Sequence, residues 1–169
     1  MKNLSIFSLR TLLAPALLCA AIGPAGAQDI VRHKIPGSDF PIAQAVTLPP
    51  NATIHFISGQ VPPVVDKGAP GDSLAAFGNT RQQTVGVLNK IKDILAGMGL
   101  SMGDVVKMQV FIVGDPAKGN KGDVAGFMEG YTQFFGGAQP NLPARAVFQV
   151  AALSNPGWLI EIEVVAAKK

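Results

Sequence analysis

The sequence predicts an α+β domain in which a mixed β-sheet carries two helices on one face. Two observations predict this class. Apolar residues recur at helical spacing in two separate stretches, and short segments of alternating or continuous apolar residues lie before, between and after them. The predicted order along the chain is β-β-α-β-α-β-β. A sheet covered on one side by its two helices is the economical way to bury these apolar faces.

The strands of the N-terminal half are short and bounded by turn residues. Residues 30–35 are mixed in character and are predicted to form an edge strand or an extended arm. Residues 44–48 alternate weakly, and residues 53–58 alternate clearly. A Pro49-Pro50-Asn51 turn lies between these two segments, which are therefore predicted to pair as a hairpin.

The C-terminal half contributes three further strands. Residues 104–113 alternate polar with apolar side chains, and residues 144–151 and 158–166 are largely apolar. A Pro156-Gly157 turn separates the last two segments, so they are predicted to form an antiparallel hairpin. Such a hairpin would place the residues of the two strands side by side.

Two helices are predicted from apolar residues at helical spacing. The first begins at Asn79, an N-cap residue followed three positions later by Gln82, and ends at Gly99. The second ends at Gly136-Gly137, and two glycines inside it each weaken it by about 1 kcal/mol relative to alanine. The apolar positions are Val85, Leu88, Ile91, Leu95 and Met98 in the first helix, and Val124, Phe127, Met128, Tyr131, Phe134 and Phe135 in the second.

Residues 1–27 have the features of a cleavable export signal. Two basic residues charge the start, an apolar run from Thr11 to Ile22 follows, and Ala25-Gly26-Ala27 offers the small residues that a signal peptidase accepts. The run is too short for a membrane-spanning helix, which needs about 20 residues. Cleavage after Ala27 would leave residues 28–169 as one exported domain, in a periplasm and without a membrane attachment.

The composition of residues 28–169 excludes several classes of function. The only cysteine, Cys19, lies within the predicted signal, so the exported domain can form no disulfide, thiolate nucleophile or cysteine-based metal site. Lys2 and Arg10 are two of 14 basic residues, against 11 acidic ones, so the remaining domain is nearly neutral. Nucleic-acid binding therefore lacks its electrostatic support. The two histidines are too few and too scattered for a metal site or a Ser-His-acid triad.

Arg145 is the residue that most strongly indicates a binding site. It opens an apolar strand after Pro143-Ala144, and arginine is seldom buried without a partner. Its guanidinium matches a carboxylate through two parallel hydrogen bonds. Two interpretations stay open: Arg145 holds a ligand carboxylate, or it forms a structural salt bridge to Glu161 or Glu163, which share one face of the next strand. A carboxylate at this place could also orient or activate water.

Six segments in order resemble the RidA/YjgF family, the reactive intermediate deaminases that are also called the L-PSP endoribonuclease family. The resemblance runs from about Phe40 to Ala166, and it rests on the order of the segments because none of them decides alone. The segments are Ser58-Gly59-Gln60-Val61-Pro62, the helix from Gln83 to Leu100, Asp104-Val105-Val106-Lys107 leading into Val110-Phe111, Tyr131 to Phe135, Pro143-Ala144-Arg145, and Ile160-Glu161-Ile162-Glu163.

The resemblance implies a chorismate-mutase-like α+β fold and a homotrimer with ligand clefts between subunits. The substrate would be a short 2-imino or enamine acid, such as 2-iminobutanoate or 2-iminopropanoate, hydrolysed to a 2-oxo acid and ammonia without cofactor or metal. By position, Arg145 would hold the substrate carboxylate and Glu161 would orient the water. Ser58 and Gly59 would line the cleft, and the backbone at Val147 would face the ligand.

Three positions differ from the well-studied deaminases that this sequence resembles. Ile42 stands where they have tyrosine, Met128 where they have asparagine, and Val147 where a cysteine is common. These side chains would make the cleft more apolar, so a second function stays open: binding of a small carboxylate or other metabolite without catalysis. RNA cleavage, which the family's older name suggests, is disfavoured by the near-neutral charge, the export signal and the lack of paired histidines.

Overall fold

Residues 29–137 and 139–169 are described by the computed structural model of the chain. The predicted export signal lies outside them, and its cleavage stays a prediction. The predicted order β-β-α-β-α-β-β is present, with the expected N-terminal edge strand as β1 and two short elements, β5 and α1, in addition. Within the described residues the strands are β1 Val31–Lys34, β2 Ala43–Thr47, β3 Thr53–Gln60, β4 Val105–Asp115, β5 Lys121–Gly122, β6 Ala144–Val150 and β7 Ile160–Lys168, and the α-helices are α1 Leu74–Phe77, α2 Thr80–Gly97 and α3 Val124–Tyr131.

β4 is central in a mixed sheet whose strands run in the order β1-β2-β6-β4-β7-β3, with β5 paired to the end of β4. β6 lies parallel to β4 and β7 antiparallel to it. Both predicted hairpins are therefore wrong, because β2 and β3 lie on opposite sides of β4 and β4 itself separates β6 from β7. Turn residues show that the chain reverses direction, but they do not select the neighbour of a strand. The 11-residue β4, with buried apolar residues at alternate positions, pairs with β6 on one side and with β7 on the other.

The two faces of the sheet differ in what covers them. One face, which we call the helix face, is packed against α2 and α3 as predicted, and its core residues include Met108, Val110 and Ile162. The opposite face, which we call the open face, leaves large apolar side chains in solvent: Phe56 is 82% exposed and Phe148 48% exposed. Because neighbouring residues of a strand point to opposite faces, each candidate side chain belongs to one face or the other.

The ends of α2 follow the local signals in the sequence. The Asn79 side chain accepts a hydrogen bond from Gln82 N at 3.0 Å, and the Gln82 side chain accepts one from Asn79 N at 3.0 Å, which confirms the predicted capping box. Gly99 adopts a positive φ of 71° just after the helix, a conformation that glycine adopts without strain. None of the helices in the described part of the chain combines the length and the apolar character that a membrane span needs.

α3 is shorter than predicted and ends at Tyr131, with Phe134 and Phe135 in the turns that follow. Its Gly130 has a packing role, since a Cβ there would lie 2.8 Å from Cβ of Thr84 on α2. The glycine that weakens the helix therefore allows α3 to approach α2 closely. Glycine at position 130 thus lowers the helix propensity of α3 but permits its close contact with α2.

We expect Gly130→Ala to lower the free energy of unfolding by up to about 2 kcal/mol. The added methyl group overpacks the α2–α3 contact, which costs about 1–3 kcal/mol, and this outweighs the gain in helix propensity of about 1 kcal/mol. Urea unfolding measures the change. Gly97→Ala is the matched control, because nothing lies within 4 Å of a Cβ at Gly97. A Gly130→Ala protein as stable as the parent would show that the contact relaxes without cost.

Candidate functional site

Arg145 lies on the helix face of β6, among aromatic side chains. Its guanidinium carbon is 4.2 Å from the ring centre of Tyr131, 5.0 Å from that of Phe127 and 5.5 Å from that of Phe40. Aromatic ring faces attract guanidinium ions, and the attraction is stronger where water is excluded. We call these three rings together with Met128 the Arg145 cage.

The Arg145 guanidinium has unused hydrogen-bonding capacity. Nη2 donates to Sδ of Met128 at 3.3 Å, and a thioether is a weak acceptor. Nη1 is buried and has no partner among the described residues. Burial lowers the pKa of Arg145 and the phenol of Tyr131 opposes this shift, but an arginine in a protein stays charged. A buried cation with an unused donor is an arrangement that a carboxylate completes.

Within one chain, the interpretation of Arg145 as the partner of Glu161 or Glu163 in a salt bridge is wrong. Glu161 and Glu163 belong to β7, and β4 lies between β6 and β7. Their side chains point to the open face, because the alternate residues Ile160 and Ile162 are buried in the core. From two strand spacings and three residue rises along the pairing, Arg145 and Glu161 are about 14 Å apart in the sheet and on opposite faces. The expectation that a hairpin brings an acid near Arg145 fails together with the hairpin.

Glu161 is held on the open face against the end of β3. The pairing of β3 with β7 is irregular between Ile57 and Gln60. A Cβ on Gly59 would overlap Oε1 of Glu161, so the glycine lets the carboxylate lie against the β3 backbone. Ser58, next to Gly59, lines an open-face cleft of about 340 Å³. Other residues lining this cleft include Phe56, Lys107, Gln109 and Glu163.

Ile42 and Arg145 line a second cleft, of about 500 Å³, at the point where β2 leaves β6. The two strands share a single pair, Ala43 with Ala144, so the outer edge of β6 beyond it is unpaired within the described residues. Val147 follows on the helix face and packs its side chain on the core. A ligand at this edge would therefore meet the Val147 backbone. The seven sequence-predicted site residues therefore divide into two groups. Ile42 and Arg145 line this cleft, Met128 contacts Arg145, and Val147 lies two residues further along β6 on the same face. The other three lie away from it: Ser58 lines the open-face cleft, and Glu161 lies against Gly59.

The aromatic residues of the Arg145 cage are not among the sequence-predicted site residues. Phe127 and Tyr131 are four positions apart on α3 and fit a core stripe, and both are fully buried. Phe40 comes from the connection between β1 and β2. A cation–π site joins an arginine on one element to rings on others, and no local spacing encodes it. The available signal is Tyr131, the single tyrosine of the chain, within an apolar helical stripe.

Tyr131 ties the cage to the segment that covers it. Its hydroxyl donates to the carbonyl of Pro41 at 2.7 Å. Because Pro41 lies between Phe40 and Ile42, this hydrogen bond holds both side chains in place beside Arg145. Burial raises the pKa of Tyr131 to about 12, and the charge of Arg145 opposes the shift.

We expect the Tyr131 phenol to stay protonated up to about pH 11 in the folded protein, because its pKa of about 12 lies above the usual value of about 10. The neutral phenol thus stabilises the fold fully below about pH 10, and this contribution is lost as the pH rises through about 12. Ultraviolet titration reports Tyr131 alone, since the chain has one tyrosine. In denaturant the midpoint should return to about 10. Phenolate formation near pH 10 with native circular dichroism would contradict this burial.

Comparison with known proteins identifies the family. A family model described as Endoribonuclease L-PSP matches residues 38–168, which is most of the chain. The chain belongs to the L-PSP, or RidA/YjgF, family. The resemblance predicted from the sequence segments is thereby confirmed.

Curated relatives and solved structures of similar proteins align with most of this chain. The 2-iminobutanoate/2-iminopropanoate deaminase of Salmonella typhimurium is 30% identical over 142 residues, covering 84% of this chain and 98% of the relative. A RutC family protein of Pyrococcus horikoshii is 35% identical over 140 residues, covering 83% and 97%. The crystal structure of Escherichia coli TdcF with bound serine is 32% identical, with a TM-score of 0.54 and coverage of 84% and 99%. This similarity confirms the predicted α+β fold.

Proposed function

We propose that the protein hydrolyses short 2-imino acids, or the corresponding enamines, to 2-oxo acids and ammonia. The observation that carries this proposal is the Arg145 guanidinium, which lies among aromatic rings and keeps Nη1 without a partner among the described residues. Two parallel hydrogen bonds would hold a substrate carboxylate, and each bond to a charged group contributes about 1.5–3 kcal/mol. Membership in a family that includes a 2-imino acid deaminase supports the substrate class.

The proposed chemistry requires orientation more than a strong nucleophile. Water adds to the imine carbon, a C–O bond forms, and the π electrons of the C=N bond pass to nitrogen. Glu161 accepts a proton from the water and returns it to the nitrogen, which gives a carbinolamine. The hydroxyl proton of this intermediate then passes to the nitrogen by way of Glu161, the C=O bond forms as the C–N bond breaks, and ammonia leaves with the 2-oxo acid. A positioned general base typically contributes about 10²–10⁴-fold. Imines hydrolyse in water without a catalyst, so a site that holds the imine carbon next to one water molecule can accelerate the reaction without a strong nucleophile.

The proposed site uses two copies of the chain. Arg145 and Glu161 lie on opposite faces of one sheet, so a single chain does not complete the pair. In the proposal, Glu161 of a neighbouring copy meets the Arg145 cage. Association would also bury apolar surface of the open face, which exposes Phe56 and Phe148. A homotrimer, expected from the family resemblance, closes such head-to-tail contacts into a ring with three sites.

We place this activity outside the cytoplasm, in a periplasm. The support is the charged start, short apolar run and Ala25-Gly26-Ala27 of residues 1–27. N-terminal sequencing of the protein expressed with its own leader tests the cleavage after Ala27. A chain that keeps Met1 would contradict export by this route.

The direct experiment generates the imino acid in place with an L-amino acid oxidase acting on 2-aminobutyrate. Release of 2-oxo acid and ammonia is then followed with and without the purified protein. We expect faster release that is proportional to the protein concentration. A rate equal to that of uncatalysed hydrolysis would end the proposal of deamination.

Metabolite binding without turnover is the second candidate. Ile42, which lines the cleft, and Met128, which contacts Arg145, support it because neither side chain can donate a proton. Serine is bound in the TdcF structure, which shows that this relative holds a small amino acid. Calorimetry with serine and with pyruvate tests binding by this chain. Affinity for either ligand without faster imine hydrolysis would favour this candidate over the enzyme.

A further inference from the structure

We propose that Met128 is a site of reversible oxidation whose sulfoxide blocks Arg145. The Met128 thioether already accepts a hydrogen bond from Nη2 of Arg145 at 3.3 Å. Nη1 of the same guanidinium is buried and has no partner among the described residues. A stronger acceptor placed on this sulfur would therefore bind Nη2 of Arg145 more tightly, beside the Nη1 that has no partner among the described residues.

The modification is a two-electron oxidation of sulfur by a peroxide. A lone pair on Sδ of Met128 attacks one oxygen of hydrogen peroxide or of an alkyl hydroperoxide. The O–O bond breaks, an S–O bond forms, and water or the alcohol leaves. Sulfur is oxidised and the peroxide is reduced. Methionine sulfoxide reductases return the sulfoxide to methionine, so the modification is reversible.

The sulfoxide changes what a ligand encounters at the cage. The thioether is a weak acceptor, whereas the sulfoxide group is polar and its oxygen carries partial negative charge. Hydrogen bonds from Arg145 to this oxygen would occupy the donors that a carboxylate needs. A carboxylate must then displace the oxygen, and the loss of one hydrogen bond to a charged group corresponds to an affinity lower by about tenfold or more.

Met128 differs from the other methionines of the described residues. Met102 is 8% exposed and Met108 is fully buried in the core, so both are shielded from peroxide. Met98 is 46% exposed at the C-cap of α2 and serves as an internal control for oxidation. Met128 is half-buried and in contact with Arg145. Since Cys19 is the only cysteine and lies outside the described residues, the sulfur atoms of the described residues all belong to methionines.

The test treats the purified protein with hydrogen peroxide and quantifies the sulfoxide at Met98 and Met128 by peptide mass spectrometry. Two measurements follow on each sample, before and after treatment: the rate at which phenylglyoxal modifies Arg145, and the affinity for pyruvate. We expect sulfoxidation of Met128 to lower both by about tenfold, and a sulfoxide reductase to restore them. Phenylglyoxal modification of the exposed Arg81 should not change.

Two variants separate Met128 from general damage, and each is compared with itself before and after peroxide. Met128→Leu should show no change in Arg145 reactivity or in pyruvate affinity, whereas Met98→Leu should respond like the parent protein. An unchanged Arg145 reactivity with Met128 fully oxidised would overturn the inference, as would a Met128 that stays reduced while Met98 is oxidised. An effect of Met128 oxidation on imine hydrolysis rests on the proposed function, whereas the oxidation itself and its effect on Arg145 do not. If pyruvate fails to bind even before oxidation, the carboxylate clamp is contradicted, and the phenylglyoxal rate still decides the role of Met128.

Discussion

Replacing Arg145 with methionine is expected to lower kcat/KM for 2-imino acid hydrolysis by about a hundredfold or more. In the proposed site, two charge-assisted hydrogen bonds to the substrate carboxylate are lost, and each contributes about 1.5–3 kcal/mol. Arg145→Lys keeps the charge but not the planar fork, so an intermediate loss of about tenfold is expected. Release of 2-oxo acid over a range of imine concentrations measures both variants. Activity in Arg145→Met equal to that of the parent would remove Arg145 from the site.

The same replacement should leave the fold intact. Arg145 has no ion pair among the described residues, and one of its donors is buried without a partner. An apolar side chain of similar length fits the aromatic cage, so the free energy of unfolding should stay within about 1 kcal/mol of the parent or rise. Arg81→Met is the matched control, because Arg81 is exposed and its contact with Glu129 at 3.6 Å is a surface ion pair. Unfolding of Arg145→Met alone would assign Arg145 a structural role instead.

Two inactive variants are expected to regain activity when their chains are mixed in one oligomer. Glu161→Gln keeps the shape of the side chain but removes the proposed base, with an expected loss of activity of about 10²–10⁴-fold. In a head-to-tail trimer mixed in equal amounts, a site is intact when Arg145 comes from the Glu161→Gln chain and Glu161 from the Arg145→Met chain. This arrangement occurs at about one site in four, so about a quarter of the parent activity should return.

The physical reason for this recovery is the arrangement of the sheet. Arg145 and Glu161 of one chain point to opposite faces and are separated by β4, so they cannot act on one small substrate together. If both groups of a site came from the same chain, every mixed oligomer would stay inactive. The two variants refolded separately and then combined without chain exchange provide the control. Light scattering verifies the oligomer, and no recovery in a verified mixed trimer would contradict the shared site.

Much of the fold could be predicted from local patterns. The capping box at Asn79 and the helical spacing that follows predict α2 because a helix is stabilised by contacts within a few residues. Alternation of apolar and polar residues predicts the strands from equally local information, since every second side chain of a strand lies on the same face of the sheet. The order of short segments predicts the family. Arg145 could be identified as an anchor because a basic residue in an apolar strand requires a partner, whatever that partner is.

Strand neighbours and the surroundings of Arg145 depend on contacts between distant segments. The turns before β3 and β7 predict hairpins. In the structure β4 lies between β6 and β7 instead, because this 11-residue strand offers β6 and β7 an apolar partner along its length. That insertion places Glu161 on the face opposite Arg145. The cage joins Phe40, Tyr131 and Arg145 from three elements. A local period specifies which face of an element is apolar, but not which other element will cover it. The fold therefore reveals what the sequence cannot: a buried cation with one donor that has no partner in the part of the chain that the structure describes.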